Sequence, residues 1–397
     1  MRRVHIIAGV AALLLMACQP IDTPTPSSVT IAPTSTERLT TPTISPTPPP
    51  TSDGTGSPVN TIPATLIEVP GAELPPGFSL IKFTDFYRPT SLAFDDEGRL
   101  YATSFDGTAH LLSDVDKNGR TDRDVSFAKG FDTPLGITIA PGTHDVYISS
   151  KGKITLVQDS NEDGVPNSSQ VWMDDLPASG RHQNDNLKFG PDGWLYVGIG
   201  STCDACEEVN PLSATIVRID PSTKQREIIA TGLRNPYDLA FDPETGALFA
   251  TDNGRDDLGV EEPHEELNQI VPDGFYGWPK CWDADQGSGC DTSIPPIAMF
   301  EPRSSVNSLV FYEGGNFPAE YQGSLYASVF GSWERDVQRG IWRVKLTPNG
   351  DAYTTKTEWF VKWPNGWLLG MAVGPDGALY VGDYINGGIY RISYGLP

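Results

Sequence analysis

Apolar residues along most of this chain come in short runs of four to six, alternating or continuous, and no stretch keeps a helical period. The runs are separated by glycine-bearing turns, often Asp-Gly or Glu-Gly, which are hairpin signals. A two-strand unit of this kind recurs six times: a polar lead-in, an apolar strand, a turn, a second strand. The copies are RPTSLAFDDEGRLYATS, TPLGITIAPGTHDVYISS, NDNLKFGPDGWLYVGIG, NPYDLAFDPETGALFATD, VNSLVFYEGGNFPAEYQGSLYASV and LLGMAVGPDGALYVGD. Their first strands are anchored at Leu92, Ile137, Leu187, Leu239, Leu309 and Met371.

A third strand usually follows, as in GTAHLLSD, KITLVQD, ATIVRID, GIWRVKL and GGIYRISY, and a fourth in QREIIAT and TEWFVKW. Six units of four strands predict an all-β six-bladed β-propeller of four-stranded antiparallel blades. The sixth unit stops at its third strand, RISYGLP, so its outer strand must come from elsewhere. The unassigned segment FSLIKF at residues 78–83 is expected to fill that place and close the ring. Two separate β-domains are the alternative.

The first 18 residues do not belong to the fold. Arg2 and Arg3 precede an apolar run over residues 6–16, which ends in Leu15, Met16, Ala17 and Cys18. About 11 apolar residues are too few to span a bilayer as a helix, for which ~20 are needed. Small residues before a cysteine at this place resemble a bacterial lipoprotein signal, with Cys18 the lipidated residue; an ordinary cleaved signal is the alternative. Residues 19–68 are Pro, Thr and Ser with almost no aromatics and read as a semi-extended linker. The propeller is then expected over residues 69–397, outside the cytoplasm and held to the membrane through lipid alone. A net charge of −23 argues against a nucleic-acid partner and against adhesion to anionic lipid. The remaining cysteines form two close pairs, Cys203 with Cys206 and Cys281 with Cys290. In an exported chain these read as two local disulfides, with a CxxC zinc or redox site as the rival.

Ring closure brings the residues just before each anchor to one mouth of the central channel. For blades three and four these include His182 and the pair Arg234-Asn235. A histidine suits the removal of a hydroxyl proton near neutral pH; a loop histidine bonded to backbone is the plainer reading. A cation and an amide suit an anionic ligand.

Several segments together resemble the PQQ-dependent soluble glucose/sorbosone dehydrogenase family. They are H…L-FGPDG-LYV-IGS, STCDACEE, GLRNPYDLAFDPETG, TDNGRDDLG…EELN…GFYGWPKC, FPAEYQGSLYAS-FGSW and AVGPDGALYV-D-I-GGIYRISY. The resemblance runs from about residue 75 to residue 395. It implies His182 as general base, Arg234 holding pyrroloquinoline quinone (PQQ) and polarising its reactive carbonyl, and Asn235 contacting it. Gly254 and Arg255 would offer backbone carbonyls to a Ca²⁺ that also binds the quinone. The implied activity is oxidation of an aldose or related sugar, with electrons passed to an external acceptor. The chain departs from the family on the facing side. Before the inner strand of blade six it reads Asn365-Gly366-Trp367-Leu368-Leu369-Gly370 with no cation, and Phe330 stands before GSW in blade five, where only Arg335 is near. Trp333 and Trp367 suit either a sugar face or blade packing.

Two loops share one spacing of oxygen side chains: Asp114, Asp116, Asn118 and Asp122, and then Asp159, Asn161, Asp163 and Asn167 one blade later. Each carries a glycine, Gly119 or Gly164, after its third oxygen residue. Such loops wrap Ca²⁺, although the twelfth residues, Val125 and Gln170, are not the glutamate of an EF-hand. Turns stabilised by Asx side chains are the alternative. Two further function classes stay open. One is a calcium-dependent lactonase using Asp252, Asn253 and Glu265. The other is a non-catalytic surface propeller that binds glycan or protein.

Overall fold

The computed structural model describes residues 62–350 and 352–396; the expected signal, Cys18 and nearly all of the linker lie outside them. The six repeats form six sheets. Blades one and two are Pro89–Phe94 to Arg123–Lys129 and Gly136–Ile139 to Ser168–Met173, each of four strands in chain order. Blade three, Asn184–Phe189 to Arg226–Thr231, gains a short parallel fifth strand, Gly274–Phe275. Blade four starts at Pro236–Phe241 and takes its outer strand, Ala298–Phe300, only after an excursion through residues 271–297. Blade five runs from Val306–Tyr312 to Ala352–Lys362. Among the described residues no helix is long and apolar enough to cross a membrane.

The ring closes as the sequence requires. Phe78–Thr84 pairs antiparallel with Ile389–Tyr394 as the outer strand of blade six, Phe78 facing Tyr394 and Leu80 facing Ile392. Phe78 fixes that register. Its ring is buried edge-on among Phe317, Tyr321, Phe360 and Tyr394 at 4.8 to 5.2 Å between centroids. Emptying such a site costs about 3–5 kcal/mol.

The apolar core is divided among the blade interfaces. Six clusters of buried side chains occupy them, from Tyr101 with Ile148 between blades one and two to Leu92 with Tyr380 between one and six. Each sheet buries both faces against its neighbours, which explains why many strands read as continuous apolar runs. The Gly-Pro-Asp-Gly turns are built alike in blades three and six. Asp192 and Asp376 each accept the amide two residues on, at 3.1 Å, and the tyrosine hydroxyl four residues on, Tyr196 at 2.9 Å and Tyr380 at 3.1 Å. Gly193 and Gly377 supply the positive φ of the turn, 79° and 74°.

Inner strands carry a recurrent irregularity just before the anchor: Asn184/Leu187, Pro236/Leu239, Val306/Leu309 and Leu368/Met371. A bulge at a barrel rim re-aims side chains. Here it frees the preceding polar residues from the ladder to bond across the ring. Asp238 accepts from Asn186 at 2.7 Å on one side and from Ser308 at 2.8 Å on the other, and Asn186 in turn accepts from Ser91 at 3.2 Å. The lead-in loops above this girdle are thereby held in fixed relation.

Candidate active site

Lead-in loops of blades three, four and five, with the loops after the second strands of blades four and five, enclose a cavity of about 410 Å³. His182, Arg234, Asn235 and Gly254 all line it. The buried Asp252 sets the Arg234-Asn235 loop by accepting both backbone amides, at 3.0 and 2.6 Å. Burial pushes this carboxyl up to about 7, against the pull of those amides. Glu265 does the same for two other loops. It accepts Gly254 N–H at 2.7 Å and Ser305 N–H at 3.3 Å, and burial raises it also to about 7. The carboxylates weighed for a lactonase therefore act as backbone clasps, and among the described residues they form no metal-ligating group with a third carboxylate, cysteine or histidine.

His182 is bonded to the chain through one ring nitrogen. Its Nδ1 lies 3.1 Å from Ser201 Oγ, and Ser201 donates its only hydroxyl proton to Cys203 O at 2.6 Å. Nδ1 must therefore be the N–H donor, which leaves Nε2 with the lone pair, and Nε2 has no hydrogen-bond partner among the described residues. Burial, then the charges of Arg234 and Arg181, hold the imidazole down at about 3. The ring is a neutral base across the whole physiological range. Gly200 makes room for it: a Cβ there would collide with the Cβ of His182 and stand 2.8 Å from Asn235 Oδ1.

Opposite lies a cluster of charges. Arg234, 4% exposed, donates to Asp204 at 2.7 Å, to Asp256 at 2.8 Å and to Asn253 O at 3.1 Å. Arg181 and Arg303 also pair with Asp256. Burial lowers Arg234 against the opposing pull of Asp204, with Arg181 adding to the lowering, while Asp204, despite its own burial, is held low by Arg234 and Arg181. Arg303 corrects the expectation that blade five contributes no cation. It stands in the lead-in loop of that blade and lines the cavity. Arg335 is not the replacement, since its guanidinium is bonded to Val260 O at 2.7 Å and faces Glu261 and Glu301. Among the described residues blade six places no cation in the cavity lining; Trp367 stacks on Trp333 at 3.9 Å, with Arg339 3.9 Å from its ring centre.

Both disulfides expected from sequence are formed, Cys203–Cys206 and Cys281–Cys290. The first encloses Asp204, which sequence reading passed over. Its carboxylate accepts the amides of Asp256 at 2.9 Å and Asp257 at 2.8 Å, and so fixes the blade-four loop against Arg234. The Tyr-Gly-Trp-Pro turn supports this from behind, Trp278 Nε1 donating to Asp204 O at 2.9 Å. Arg255 turns its side chain away, to Asp257 at 2.6 Å and over Trp282 at 5.3 Å.

The residues present fit the quinone and the calcium of the family expectation. Three guanidinium groups suit a ligand with several carboxylates. The side-chain oxygens of Asn235 and Asn253 are buried with no hydrogen-bond partner, beside Gly254, where uncharged oxygens suit a hard cation.

The two DxDxNG-like loops link the third and fourth strands of blades one and two, at equivalent places outside this cavity. Asp114, Asp116 and Asp122 bring carboxylate oxygens within 4.8 Å of one another. Asn118 is held as an Asx turn, its Oδ1 accepting Arg120 N–H at 2.9 Å. In the second loop Asp159 accepts Gly164 N–H at 2.7 Å through Oδ2, while its Oδ1 is buried with no partner. Asn161 donates to Asp163 at 2.9 Å, and Asn167 accepts from Ser160 N–H at 2.7 Å.

Comparison with known proteins agrees with this architecture. A family profile described as a domain of unknown function, DUF7133, matches residues 73–391. An uncharacterized protein of Borreliella burgdorferi is 26% identical over 353 residues, covering 81% of this chain and 90% of its own. The aldose sugar dehydrogenase YliI of Escherichia coli is 23% identical over 243 residues, 54% of this chain and 61% of its own. Among solved structures, the PQQ-bound aldose sugar dehydrogenase of Streptomyces coelicolor superposes with a TM-score of 0.62 at 21% identity, over 81% of this chain and 99% of that one. The chain belongs to the DUF7133 family and is a six-bladed propeller related to the PQQ-dependent soluble glucose and aldose sugar dehydrogenases.

Proposed function

We propose that this protein is an exported PQQ- and Ca²⁺-dependent dehydrogenase that oxidises an aldose or related sugar and hands the electrons to an external acceptor. One observation carries the reading: a neutral histidine with an unengaged Nε2 shares one cavity with three arginines and two unpartnered amide oxygens. PQQ, when bound, supplies a two-electron acceptor for the hydride from the sugar carbon. His182 takes the hydroxyl proton at Nε2, with Ser201 holding the ring through Nδ1. Arg234 would bind and polarise the anionic cofactor, and Asn235 would contact it. Backbone carbonyls of Gly254 and Arg255, with the Asn253 side-chain oxygen, would hold Ca²⁺. Trp333, 71% exposed at the cavity rim, offers a flat apolar face to a sugar ring.

The carboxylate loops of blades one and two are structural calcium sites in this reading, remote from the chemistry. In the same reading, lipid on Cys18 anchors the chain to the cell membrane, with the propeller outside the cytoplasm. The exposed Trp333 face favours a second reading, a surface propeller that binds glycan without oxidising it. Calorimetry of the purified protein with PQQ and Ca²⁺, together with dye reduction over a sugar panel, separates the two. Micromolar PQQ binding with activity lost in His182→Ala supports the dehydrogenase. Glycan binding without PQQ binding replaces it with the second reading.

A further inference from the structure

Three cations from three separate lead-in loops meet on one carboxylate. Arg181 before blade three, Arg234 before blade four and Arg303 before blade five all pair with Asp256. Arg234 and Arg303 are buried, whereas Asp256 is partly exposed and lines the cavity. We propose that the Asp256 carboxylate occupies the seat of a ligand carboxylate, and that a polycarboxylate ligand binds by displacing it. The identification of that ligand with PQQ rests on the reading above; the exchange does not.

The bonds on either side of the contact favour exchange. Asp256 is held by its backbone, its N–H bonded to both carboxylate oxygens of Asp204 at 2.9 and 3.1 Å, so the side chain turns out without moving the loop. Arg303 keeps its backbone partners, Gly259 O at 2.9 and 2.6 Å and the carbonyl of Asp256 itself. Arg234 keeps Asp204 and Asn253 O. What departs is the one carboxylate that pairs with all three guanidinium groups, and what arrives is favoured to be another, since Asp204 pairs directly only with Arg181 and Arg234 and Glu334 acts on Arg303 without an ion pair. The site therefore selects for acid groups. A neutral sugar offers no charge to replace Asp256, while a planar polycarboxylate replaces it and adds its own contacts. Asp256 thus fills the anion seat when no ligand is bound and opposes weakly charged competitors.

The test uses the full chain with Asp256→Asn and Asp256→Ala, with citrate and PQQ as probes. Citrate is expected to bind Asp256→Asn about tenfold more tightly than the parent protein, a change of about 1.4 kcal/mol. Phenylglyoxal should label Arg181 and Arg303 faster in the variant, and citrate should suppress the labelling. Arg303→Gln in the Asp256→Asn background should remove the gain. Equal or weaker citrate binding by a folded Asp256→Asn protein overturns the proposal and makes Asp256 a structural clasp. If Asp256→Ala unfolds, the near-isosteric asparagine variant carries the same comparison. Tighter citrate binding with no PQQ binding by either form would sustain the exchange and refute the quinone reading. PQQ binding unchanged by the substitution, with citrate also unchanged, would do the reverse.

Discussion

Ser201 Oγ stands 3.1 Å from His182 Nδ1 and, by giving its own proton to Cys203 O, decides which ring nitrogen is basic. The serine is buried and sits after the second strand of blade three, while the histidine leads into the first, so one blade supplies both groups. Ser201→Ala leaves Nδ1–H without its acceptor and lets the ring choose the other tautomer. Loss of a positioned hydrogen bond of about 1 kcal/mol corresponds to a fall in kcat of roughly five- to tenfold. PQQ affinity measured by calorimetry should stay unchanged. An equal loss in binding and turnover would show that the serine merely supports the fold.

The neutral state of His182 also has a thermodynamic signature. Its folded value is about 3 against 6.5 for a free histidine. As pH falls below 6.5 the unfolded chain takes up a proton that the folded protein refuses, so this group lowers stability progressively down to about pH 3. Asp252 and Glu265, raised to about 7, act with the opposite sign: the folded protein holds their protons above the unfolded values, and their contribution is lost as pH rises towards 7. The comparison of parent with His182→Gln isolates the histidine. Urea unfolding at pH 7, 6, 5 and 4 should show the parent losing stability relative to the variant at each step down. A constant difference across the series would mean that the ring titrates normally.

The propeller was legible because each repeat states its own turn and its own buried strand. Asp192 and Asp376 make the same bonds to Tyr196 and Tyr380, and local chemistry of that kind is visible in one sequence. The outer strand of blade four was not visible: Ala298–Phe300 is three residues long and pairs with Glu265–Leu267 across a long excursion. His182, Arg234 and Asn235 could be placed because they precede an anchor. Arg303 lies six residues before Leu309, the offset that separates Arg181 from Leu187, and that shared offset was the signal available for both. Asp204 and Asp256 gave none. Their importance comes from a meeting of three loops that the ring closes in space, and no local spacing records it.

The Cys203–Cys206 disulfide has a functional consequence through Asp204, which lies inside it. Cutting the bridge frees the loop that holds the amides of Asp256 and Asp257 and one side of Arg234. The double variant Cys203→Ser, Cys206→Ser should weaken PQQ binding about tenfold, by about 1.4 kcal/mol. Cys281→Ser with Cys290→Ser, a bridge that does not enclose Asp204, should lower the thermal midpoint with a smaller effect on binding. The two double variants measured side by side check this, and an equal effect on PQQ affinity would place Asp204 under other control.

Calcium at the twin carboxylate loops is tested most sharply at Asp159. This residue is almost wholly buried, and its Oδ1 has no hydrogen-bond partner although Oδ2 is bonded to Gly164 N–H. A buried carboxylate oxygen left without a partner costs on the order of 1–3 kcal/mol, and a cation in the loop would offset it. The parent protein should therefore melt at a higher temperature in millimolar Ca²⁺ than in EDTA. Asp159→Asn removes the charge that binds the metal but keeps the size, so it should lose a large part of the calcium increment. In EDTA the same variant should be no less stable than the parent, because it no longer buries an unpaired charge. A calcium increment unchanged by Asp159→Asn would leave these loops as Asx turns, held by bonds such as Asn118 Oδ1 to Arg120 N–H at 2.9 Å.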